Sequence, residues 1–560
     1  MPLALAAAGA RGRALPLGRT LATGLFLLAL TGSCLAVFSL HYAVLPYRFH
    51  ADELGKGKQI LANTRNFSHP LLLLNATQVV QRWWAPDLSS AVASPATLQQ
   101  AVQLGRLVSA SLAAGAVLCL AATAMILRGP RAMVAVGVVV ALCPSLLMYA
   151  HDFKEDTALV FGLAAFALTL AIFDRYHGAW SAAMLGLGAA LAVSGKYIGV
   201  MALPLAITMM LAAPWPVLGR PWLGFWTRLA AMLSAFVCAA ALINHQVLHD
   251  PGQFVNSMML EAQHGVTEHS GLTSDRPNWH WAWQLGREVS LPVLALAGLY
   301  LVCLAATRRR RSTAELLVAA IPLVYFVLLL WCPIPFNRYL LPATVFTFAL
   351  AGLGVVELAE HLSRLAERRR GPKRQPHGRG HGTRAVTTRA LAPWVAPTAL
   401  LGVVALVQLP RCVDYLAQFP GESRLRFDRH VRAALPGGAR IIADFYAGLA
   451  PGVIAPDATP QGPLTLVVTP GIFAADMGSL DTLRRLGVTH VAVCDLAYAR
   501  YFDPRLYPGA DDLPGYERRK AFYQSVFAQG QLVWDSKVGE NHIPSGSYTN
   551  PHVMLYWIGK

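Results

Sequence analysis

Long apolar runs alternate with short polar segments over the first 409 residues, and this pattern predicts membrane-spanning helices. A helix needs about 20 apolar residues to cross a bilayer core, and about eleven runs approach that length. From Pro410 onward, polar, turn-forming and aromatic residues mix as in a globular domain. We therefore predict a membrane domain (1–409) and a soluble domain (410–560). The predicted spans are 21–40, 104–127, 132–150, 157–173, 178–193, 197–213, 228–245, 289–306, 314–332, 339–357 and 390–409.

The pattern in the C-terminal domain predicts a small α/β fold. Three short apolar runs are typical of buried strands in parallel sheets: 439–444, 464–469 and 488–493. Three segments have helical periodicity: 424–434, 480–486 and 515–529. The domain has neither a Gly-rich phosphate loop nor a nucleophile elbow, so it indicates no chemistry by itself.

The composition favours a membrane protein over a soluble multidomain enzyme, because 55% of the 560 residues are hydrophobic and 14% are charged. The formal net charge of +17 would also fit a nucleic-acid-binding protein. However, Lys and Arg concentrate between the apolar runs, where the positive-inside rule expects them. We therefore expect membrane lipids, and no nucleic acid, among the partners.

The cysteines do not form the framework of a disulfide-rich protein, since most of the eight lie inside or at the ends of apolar runs. Cys412 and Cys494 fall in the predicted soluble domain. They could pair there if the compartment is oxidising.

The distribution of basic residues predicts the orientation of the chain. The first apolar run follows several arginines and is longer than the hydrophobic region of a signal peptide, so we interpret it as an uncleaved helix with its N-terminus inside. Alternating the spans from there puts the strongly basic segments on the cytoplasmic side, including a basic linker at 361–389. The first outer loop (41–103), the 246–288 loop and the C-terminal domain then lie outside.

Ionisable residues gather where the predicted helices meet the outer surface. Asp52 and Glu53 follow the first span, and the acidic turn 151–156 joins the third and fourth spans. Lys196 and Arg338 stand at breaks of the apolar pattern on the same side. Charges at helix mouths of membrane proteins are candidates for function. The alternatives are that the acids cap helices and that the cations extend to lipid headgroups.

The order of these features resembles the GT-C type glycosyltransferases that use polyprenyl-phosphate sugars (family 39), which include protein O-mannosyltransferases and aminoarabinose transferases of lipid A. The resemblance covers most of the membrane domain. The motifs are Asp52-Glu53, His69-Pro70, Gly105-Arg106-Leu107, the turn from His151 to Asp156, Lys196-Tyr197 and Arg338-Tyr339-Leu340-Leu341-Pro342. Leu71 stands where the commoner pattern has a second proline, which leaves the acceptor contacts of this loop open.

The resemblance implies a polytopic α-helical membrane protein of GT-C type, with about eleven transmembrane helices and a small C-terminal α/β domain on the outer face. It implies an inverting glycosyltransferase of the plasma membrane, which in bacteria is the inner membrane. The enzyme would move a hexosyl or pentosyl group from a polyprenyl-phosphate carrier to an acceptor hydroxyl on the outer side. The acceptor would be a lipid, a glycan or a protein, and the sugar stays open.

The same resemblance assigns roles to individual residues. Asp52 would be the general base, and Glu53 would orient the acceptor. Lys196 and Arg338, with Tyr339, would bind the donor phosphate. Four further residues would contact the acceptor or support the site: His69, Asp152, Asp156 and Arg106. No motif has the spacing of a metal site, so we expect no required cofactor, although relatives differ in their need for a divalent cation.

Two other functions fit a chain with many apolar helices. A transporter would use charged residues between its helices as ligands for an ion or a substrate. Against it, we find no inverted repeat, and the acids stand at helix ends instead of mid-span. A non-catalytic envelope scaffold that presents the outer domain would need no acid at Asp52 or Asp156.

Overall fold

The computed structural model describes residues 17–46, 49–90, 92–213, 221–266, 272–307, 311–332, 337–369, 384–448, 465–467, 471–509, 512–537 and 549–559. Most of the chain up to residue 418 forms helices. In chain order they are α1 (Leu17–Phe38), α2 (Ala51–Ala62), α3 (Leu72–Trp84), α4 (Pro95–Arg128), α5 (Pro130–Ala141), α6 (Pro144–Tyr149), α7 (Glu155–Tyr176), α8 (Ala179–Gly195), α9 (Ala202–Ala212), α10 (Pro221–Ile243), α11 (Pro251–Val266), α12 (His280–Glu288), α13 (Leu291–Ala306), α14 (Thr313–Leu329), α15 (Leu341–Arg369) and α16 (Arg384–Gln418).

The apolar helices coincide with the predicted spans. In the described part of the chain, six helices are long and apolar enough to cross a membrane. Helices α12 and α13 are bent by 110° at their junction and can together form a seventh span. Shorter apolar helices, α5, α8, α9 and α14, lie on the remaining predicted spans. The prediction of a polytopic helical protein is therefore confirmed.

Helices α7 and α8 approach each other closely, and this positions two candidate site residues. A side chain at Gly195 would lie 2.6 Å from the backbone of Ala158. Small residues let membrane helices pack backbone against backbone in this way. Lys196 directly follows Gly195, so the close approach brings it to the start of α7, where Asp156 lies.

Arg106 and Arg128 lie about 33 Å apart along α4. At the end of the bundle that carries Arg128, ion pairs connect three helices. Arg128 donates hydrogen bonds to Glu315 and to Glu357, each at 2.7 Å. Arg311 donates to Glu357 at 2.6 Å. These contacts join α4, α14 and α15. Arg308 to Arg310 and residues 370–383 of the predicted basic linker (361–389) lie outside the described residues.

The C-terminal part of the chain forms a mixed sheet with helices packed against it. The strands are β1 (Leu272–Thr273), β2 (Arg440–Ala443), β3 (Thr465–Val467), β4 (His490–Cys494), β5 (Tyr507–Pro508), β6 (Gln531–Asp535) and β7 (Val553–Trp557). The helices are α17 (Ser423–Ala434), α18 (Leu480–Arg485), α19 (Asp495–Tyr498) and α20 (Leu513–Gln529). The five-stranded sheet has the order β3-β2-β4-β7-β6, and β1 pairs with β5 separately. A buried core of its own, including Phe427, Val491 and Tyr523, joins the sheet and the helices.

The prediction of a small α/β fold is confirmed, with two corrections. Strand β2 pairs in parallel with β3 and β4, but β7 pairs antiparallel with β4 and β6, so the sheet is mixed. The sequence pattern missed β6 and β7, because five-residue strands of mixed composition give a weak signal. The pairing of Cys412 with Cys494, which the sequence left open, is not formed: both are free and buried, one on α16 and the other on β4.

Candidate active site

Asp52 and Glu53 lie in the first turn of α2, and His50 is the N-cap of this helix. The Asp52 backbone N–H donates to Nδ1 of His50 at 3.2 Å, and the His50 backbone N–H donates to the Glu53 carboxylate at 3.1 Å. These reciprocal bonds form a capping box, which fixes the start of α2. The alternative in which Asp52 caps the helix is therefore wrong, and its carboxylate is available for other contacts.

Glu53 is fully buried and binds Arg106 through both carboxylate oxygens. Nε and Nη2 of Arg106 donate at 2.9 and 2.6 Å, and the Phe153 backbone N–H donates at 3.0 Å. Together with the His50 N–H, these donors saturate the carboxylate. The geometry therefore favours a positioning role for Glu53 over the acceptor-orienting role that the resemblance implies.

Arg106 joins three parts of the chain. Besides Glu53, it binds three backbone carbonyl groups of the segment after α1 at 3.1, 2.6 and 2.8 Å, those of Tyr42, Leu45 and Pro46. At the preceding position, a side chain on Gly105 would lie 2.3 Å from the Phe153 ring. Glycine at this position therefore lets the acidic turn pack directly on α4, which brings that turn to α2.

Asp52 is an accessible carboxylate, with 40% of its side chain exposed, whereas Glu53 and Asp156 are buried. The Lys154 ammonium donates a hydrogen bond to Oδ2 of Asp52. Burial acts to raise the pKa of Asp52, but Lys154 and then Lys56 outweigh it and hold this pKa well below its ordinary value. Asp52 is thus an ionised carboxylate at neutral pH that a substrate can reach.

Glu155 and two lysines extend the site beyond Asp52. Nζ of Lys56 lies 3.0 Å from one Glu155 oxygen, and Nζ of Lys154 lies 3.7 Å from the other. Nε2 of His69 lies 3.4 Å from Nζ of Lys154. Burial lowers the pKa of His69 to about 3 despite the attraction of Glu155, so its imidazole is neutral at pH 7. The structure therefore brings His69 into the same cluster as Asp52.

The three residues expected to bind the donor phosphate lie together beside Asp156. Nζ of Lys196 donates to Oδ1 of Asp156 at 2.8 Å and lies 4.6 Å from the centroid of the Tyr339 ring. The Arg338 guanidinium lies 5.1 Å from the same centroid and is 7% exposed. Cations held over an aromatic face keep their charge while they lose water. Lys196, Arg338 and Tyr339 thus form one cationic cluster.

Asp152 is buried behind this arrangement. Burial and the charge of Glu53 raise its pKa to about 8, against the effects of Arg106 and Arg424. Asp152 is therefore mostly protonated at neutral pH. It can support the site as a neutral carboxyl group, and it contributes little negative charge there.

Acidic and basic side chains form ion pairs throughout the site. Each of four carboxylates contacts a cation, in the pairs Asp52 with Lys154, Glu53 with Arg106, Glu155 with Lys56 and Asp156 with Lys196. Within the described ranges, no group of three or more His, Cys, Asp or Glu side chains could hold a metal ion. The chemistry that this arrangement offers is proton transfer at Asp52 and the binding of an anion by the cations.

The sequence assigned no role to Lys154, Lys56 or Glu155, although the structure places all three in the cluster. Two signals could have found them. Lys154 and Glu155 belong to the same acidic turn as Asp152. Lys56 lies four residues after Asp52 and therefore on the same face of α2.

No family model and no curated protein matches the chain. Several solved structures are similar to it. The structure of ArnT from Cupriavidus metallidurans bound to undecaprenyl phosphate has 12% identity and a TM-score of 0.49, and the match covers 97% of this chain and 98% of that one. The archaeal oligosaccharyltransferase AglB from Archaeoglobus fulgidus, in complex with an inhibitory peptide and a dolichol-phosphate, has 12% identity, a TM-score of 0.42 and coverages of 85% and 70%. The arabinofuranosyltransferase AftD from Mycobacteria has 14% identity, a TM-score of 0.39 and coverages of 96% and 40%.

These TM-scores all lie below 0.5. The structural similarity is therefore limited to the general path of the chain, and it assigns no role to any residue. The proteins belong to the class that the sequence motifs resemble. In motifs and in general structure, the chain is similar to GT-C glycosyltransferases.

Proposed function

We propose that this protein is an inverting membrane glycosyltransferase that moves a sugar from a polyprenyl-phosphate carrier to an acceptor hydroxyl. The observation that carries the proposal is an accessible, ionised carboxylate, Asp52, paired with Lys154 and close to the cationic cluster that includes Arg338. Glycosyl transfer needs both parts, because a base must take the acceptor proton while positive charge stabilises the departing phosphate.

The reaction is a single displacement. The acceptor oxygen attacks the anomeric carbon, and the bond between that carbon and the phosphate oxygen breaks. Asp52 takes the acceptor proton, and the electron pair of the broken bond stays on the phosphate. The phosphate thereby changes from a monoanionic diester to a dianionic monoester. Attack from the side opposite the leaving phosphate inverts the configuration of the anomeric carbon.

The cationic cluster supports binding of the donor phosphate at the mouth of the helix bundle. A phosphate that leaves water for a largely buried site needs fixed positive charge in exchange. Arg338 offers a planar fork suited to two phosphate oxygens, and Lys196 offers a point charge. Asp156 and the Tyr339 ring hold the Lys196 ammonium in place before a donor arrives.

We further propose that the site faces the outer side of the plasma membrane, or of the inner membrane in bacteria. The positive-inside rule supports this orientation, since Arg128 and Arg311 lie at the opposite end of the bundle. In a cysteine-free background, an impermeant thiol reagent applied to intact spheroplasts should label Arg518→Cys in the C-terminal region. The matched variant Arg364→Cys, 71% exposed near the other end, should be protected. The reverse pattern would contradict the orientation.

The decisive experiment is carrier release. Purified protein in detergent is incubated with a panel of polyprenyl-phosphate sugars and hydroxyl-bearing lipid, glycan and peptide acceptors, and the free polyprenyl phosphate is measured. We expect at least one donor to release its carrier in an acceptor-dependent manner. A transporter would release carrier from no donor but would move solute across the membrane of proteoliposomes, and that result would replace the proposal.

A further inference from the structure

Lys154 contacts the carboxylate of Asp52 and interacts electrostatically with Arg338 and Asp156, which belong to the proposed phosphate site. Its Nζ contacts Oδ2 of Asp52 and lies 3.7 Å from Glu155. Glu155 has a closer partner in Lys56, at 3.0 Å, so Asp52 is the principal partner of Lys154. Only 4% of Lys154 is exposed, so bulk water screens its charge weakly.

The ionised groups around Lys154 include several acids and several cations. The acids are Asp52, Glu155 and Asp156, and the cations are Lys56, Lys154, Lys196 and Arg338. His69 is neutral at pH 7, and Glu53 and Arg106 balance each other. Glu261, whose carboxylate lies 3.6 Å from Nδ1 of His69, adds a fourth acid, so four cations face four acids in the described cluster. A polyprenyl-phosphate sugar is a phosphodiester with a single negative charge, which needs a cation of the cluster as its partner.

We propose that Lys154 changes its ion-pair partner during transfer. It pairs with Asp52 before the reaction and with the departing phosphate after it. This inference rests on the glycosyl transfer proposed above. When Asp52 takes the acceptor proton, it becomes neutral and holds the ammonium only weakly. In the same step the phosphate gains its second negative charge. The phosphate therefore becomes a stronger partner for Lys154 in the same step that neutralises Asp52, and the net charge of the site stays constant.

The side chain of Lys154 is suited to this exchange. A lysine ammonium is a compact charge on a flexible stem, and rotations about its own bonds can bring it to a new partner. Arg106, by contrast, could not change partners in this way, because five hydrogen bonds to Glu53 and to backbone carbonyl groups hold its guanidinium in place. Lys154 in turn keeps Asp52 ionised while the donor binds.

The test compares a dianionic with a monoanionic lipid phosphate. The probes are undecaprenyl phosphate, a dianion at pH 8, and undecaprenyl methyl phosphate, a monoanion, so no knowledge of the sugar is needed. Affinities are measured in detergent for the wild type, Lys154→Met, Lys154→Arg and the control Lys58→Met, an exposed lysine on α2. We expect Lys154→Met to reduce the preference for the dianion about 10-fold or more, the effect of one charge-assisted contact. Lys154→Arg should retain most of the preference, and the exposed Lys58→Met should change it less than about 3-fold.

A second readout separates this role from a structural one. In Lys154→Met, the acid limb of the single-turnover pH–rate profile should move to higher pH, because Asp52 loses the cation that favours its ionised form. His50, Lys56 and Arg338 also face Asp52 and remain in this variant. An unchanged preference for the dianion in a folded Lys154→Met protein would overturn the inference, as would an equal loss in Lys58→Met.

If Lys154→Met does not fold, the comparison is made between Asp52→Asn and Asp52→Asn/Lys154→Met, which leave no charged carboxylate at position 52. The expected loss of preference is the same. A wild type that binds neither probe and releases no carrier would remove the proposed function itself. A wild type that transfers sugar while Lys154→Met keeps the full preference would remove only the role of Lys154.

Discussion

The Arg424 guanidinium of the C-terminal region donates a hydrogen bond to the backbone carbonyl of Phe49, the residue before the N-cap of the helix that carries Asp52. It also lies 4.1 Å from the centroid of the Phe49 ring, and only 2% of Arg424 is exposed. A second bond, from Nε to Glu422 at 2.7 Å, fixes Arg424 within its own region. The C-terminal region therefore helps to set the position of Asp52.

We accordingly predict that Arg424→Lys lowers turnover while the donor affinity stays within about 3-fold of the wild type. Lysine keeps the positive charge beside Glu422, but its single nitrogen cannot occupy both positions, Nε and Nη1, from which arginine reaches Glu422 and Phe49. A displacement of about 1 Å at a reacting group can cost about 100-fold in rate, so we expect a loss of about 10- to 100-fold. Single-turnover kinetics and donor titrations measure the two quantities. Arg429→Lys, exposed on the same helix, is the control, and equal turnover in both variants would contradict the prediction.

Glu53→Gln should act mainly on stability. The change leaves the fully buried Arg106 without its charged partner, and breaking a buried pair in this way costs about 3–5 kcal/mol. Thermal unfolding in detergent measures the effect. The control is Glu360→Gln, which removes an exposed pair with Arg364 and should cost less than about 1 kcal/mol. Full stability of Glu53→Gln with a changed acceptor dependence would restore the acceptor-orienting role.

Asp52 and Glu53 differ in burial and in contacts, and this difference shows what the sequence could and could not predict. The long apolar runs and the one-sided order of the motifs were enough to predict the helices, and Lys196 and Arg338 do lie at the same end of the bundle. Consecutive residues of a helix point about 100° apart, so one of two adjacent acids becomes buried and the other accessible. Which one becomes buried depends on Arg106, which comes from another helix. The pairing of Lys154 with Asp52 likewise depends on the tertiary contact at Gly105.

Arg338→Ala should weaken donor binding about 10-fold or more, and Arg338→Lys should weaken it less, because lysine keeps the charge but loses the planar fork. The measurement is the donor dependence of single-turnover transfer at saturating acceptor. Arg364→Ala, an exposed arginine near the other end of the bundle, should leave donor dependence unchanged. Wild-type donor dependence in Arg338→Ala would assign this residue to a purely structural role.

The buried Asp152 predicts a pH-dependent stability. In the folded protein its pKa is raised to about 8, mainly by burial, whereas in the unfolded chain the group ionises near pH 4. Between these values the folded state holds the proton more tightly, so this residue makes folding less favourable as the pH rises. Asp152→Asn should therefore gain thermal stability relative to the wild type from pH 5 to pH 8. The exposed Asp481→Asn should show no such trend, and a constant difference for Asp152→Asn would refute the assignment.

Asp52→Asn should preserve folding and donor binding but lower turnover by about 10²–10⁴-fold, the range expected for the loss of a general base. Folding is preserved because His50, and not Asp52, caps α2, and because the Asp52 backbone N–H that bonds to His50 remains. Asparagine keeps the size of the side chain but cannot accept the acceptor proton at neutral pH. The assay is single-turnover transfer at saturating donor and acceptor, alongside thermal stability of the detergent-solubilised variants. Wild-type turnover would remove the base assignment, whereas a large loss of turnover at unchanged stability would separate catalysis at Asp52 from the structural role that its neighbour Glu53 performs.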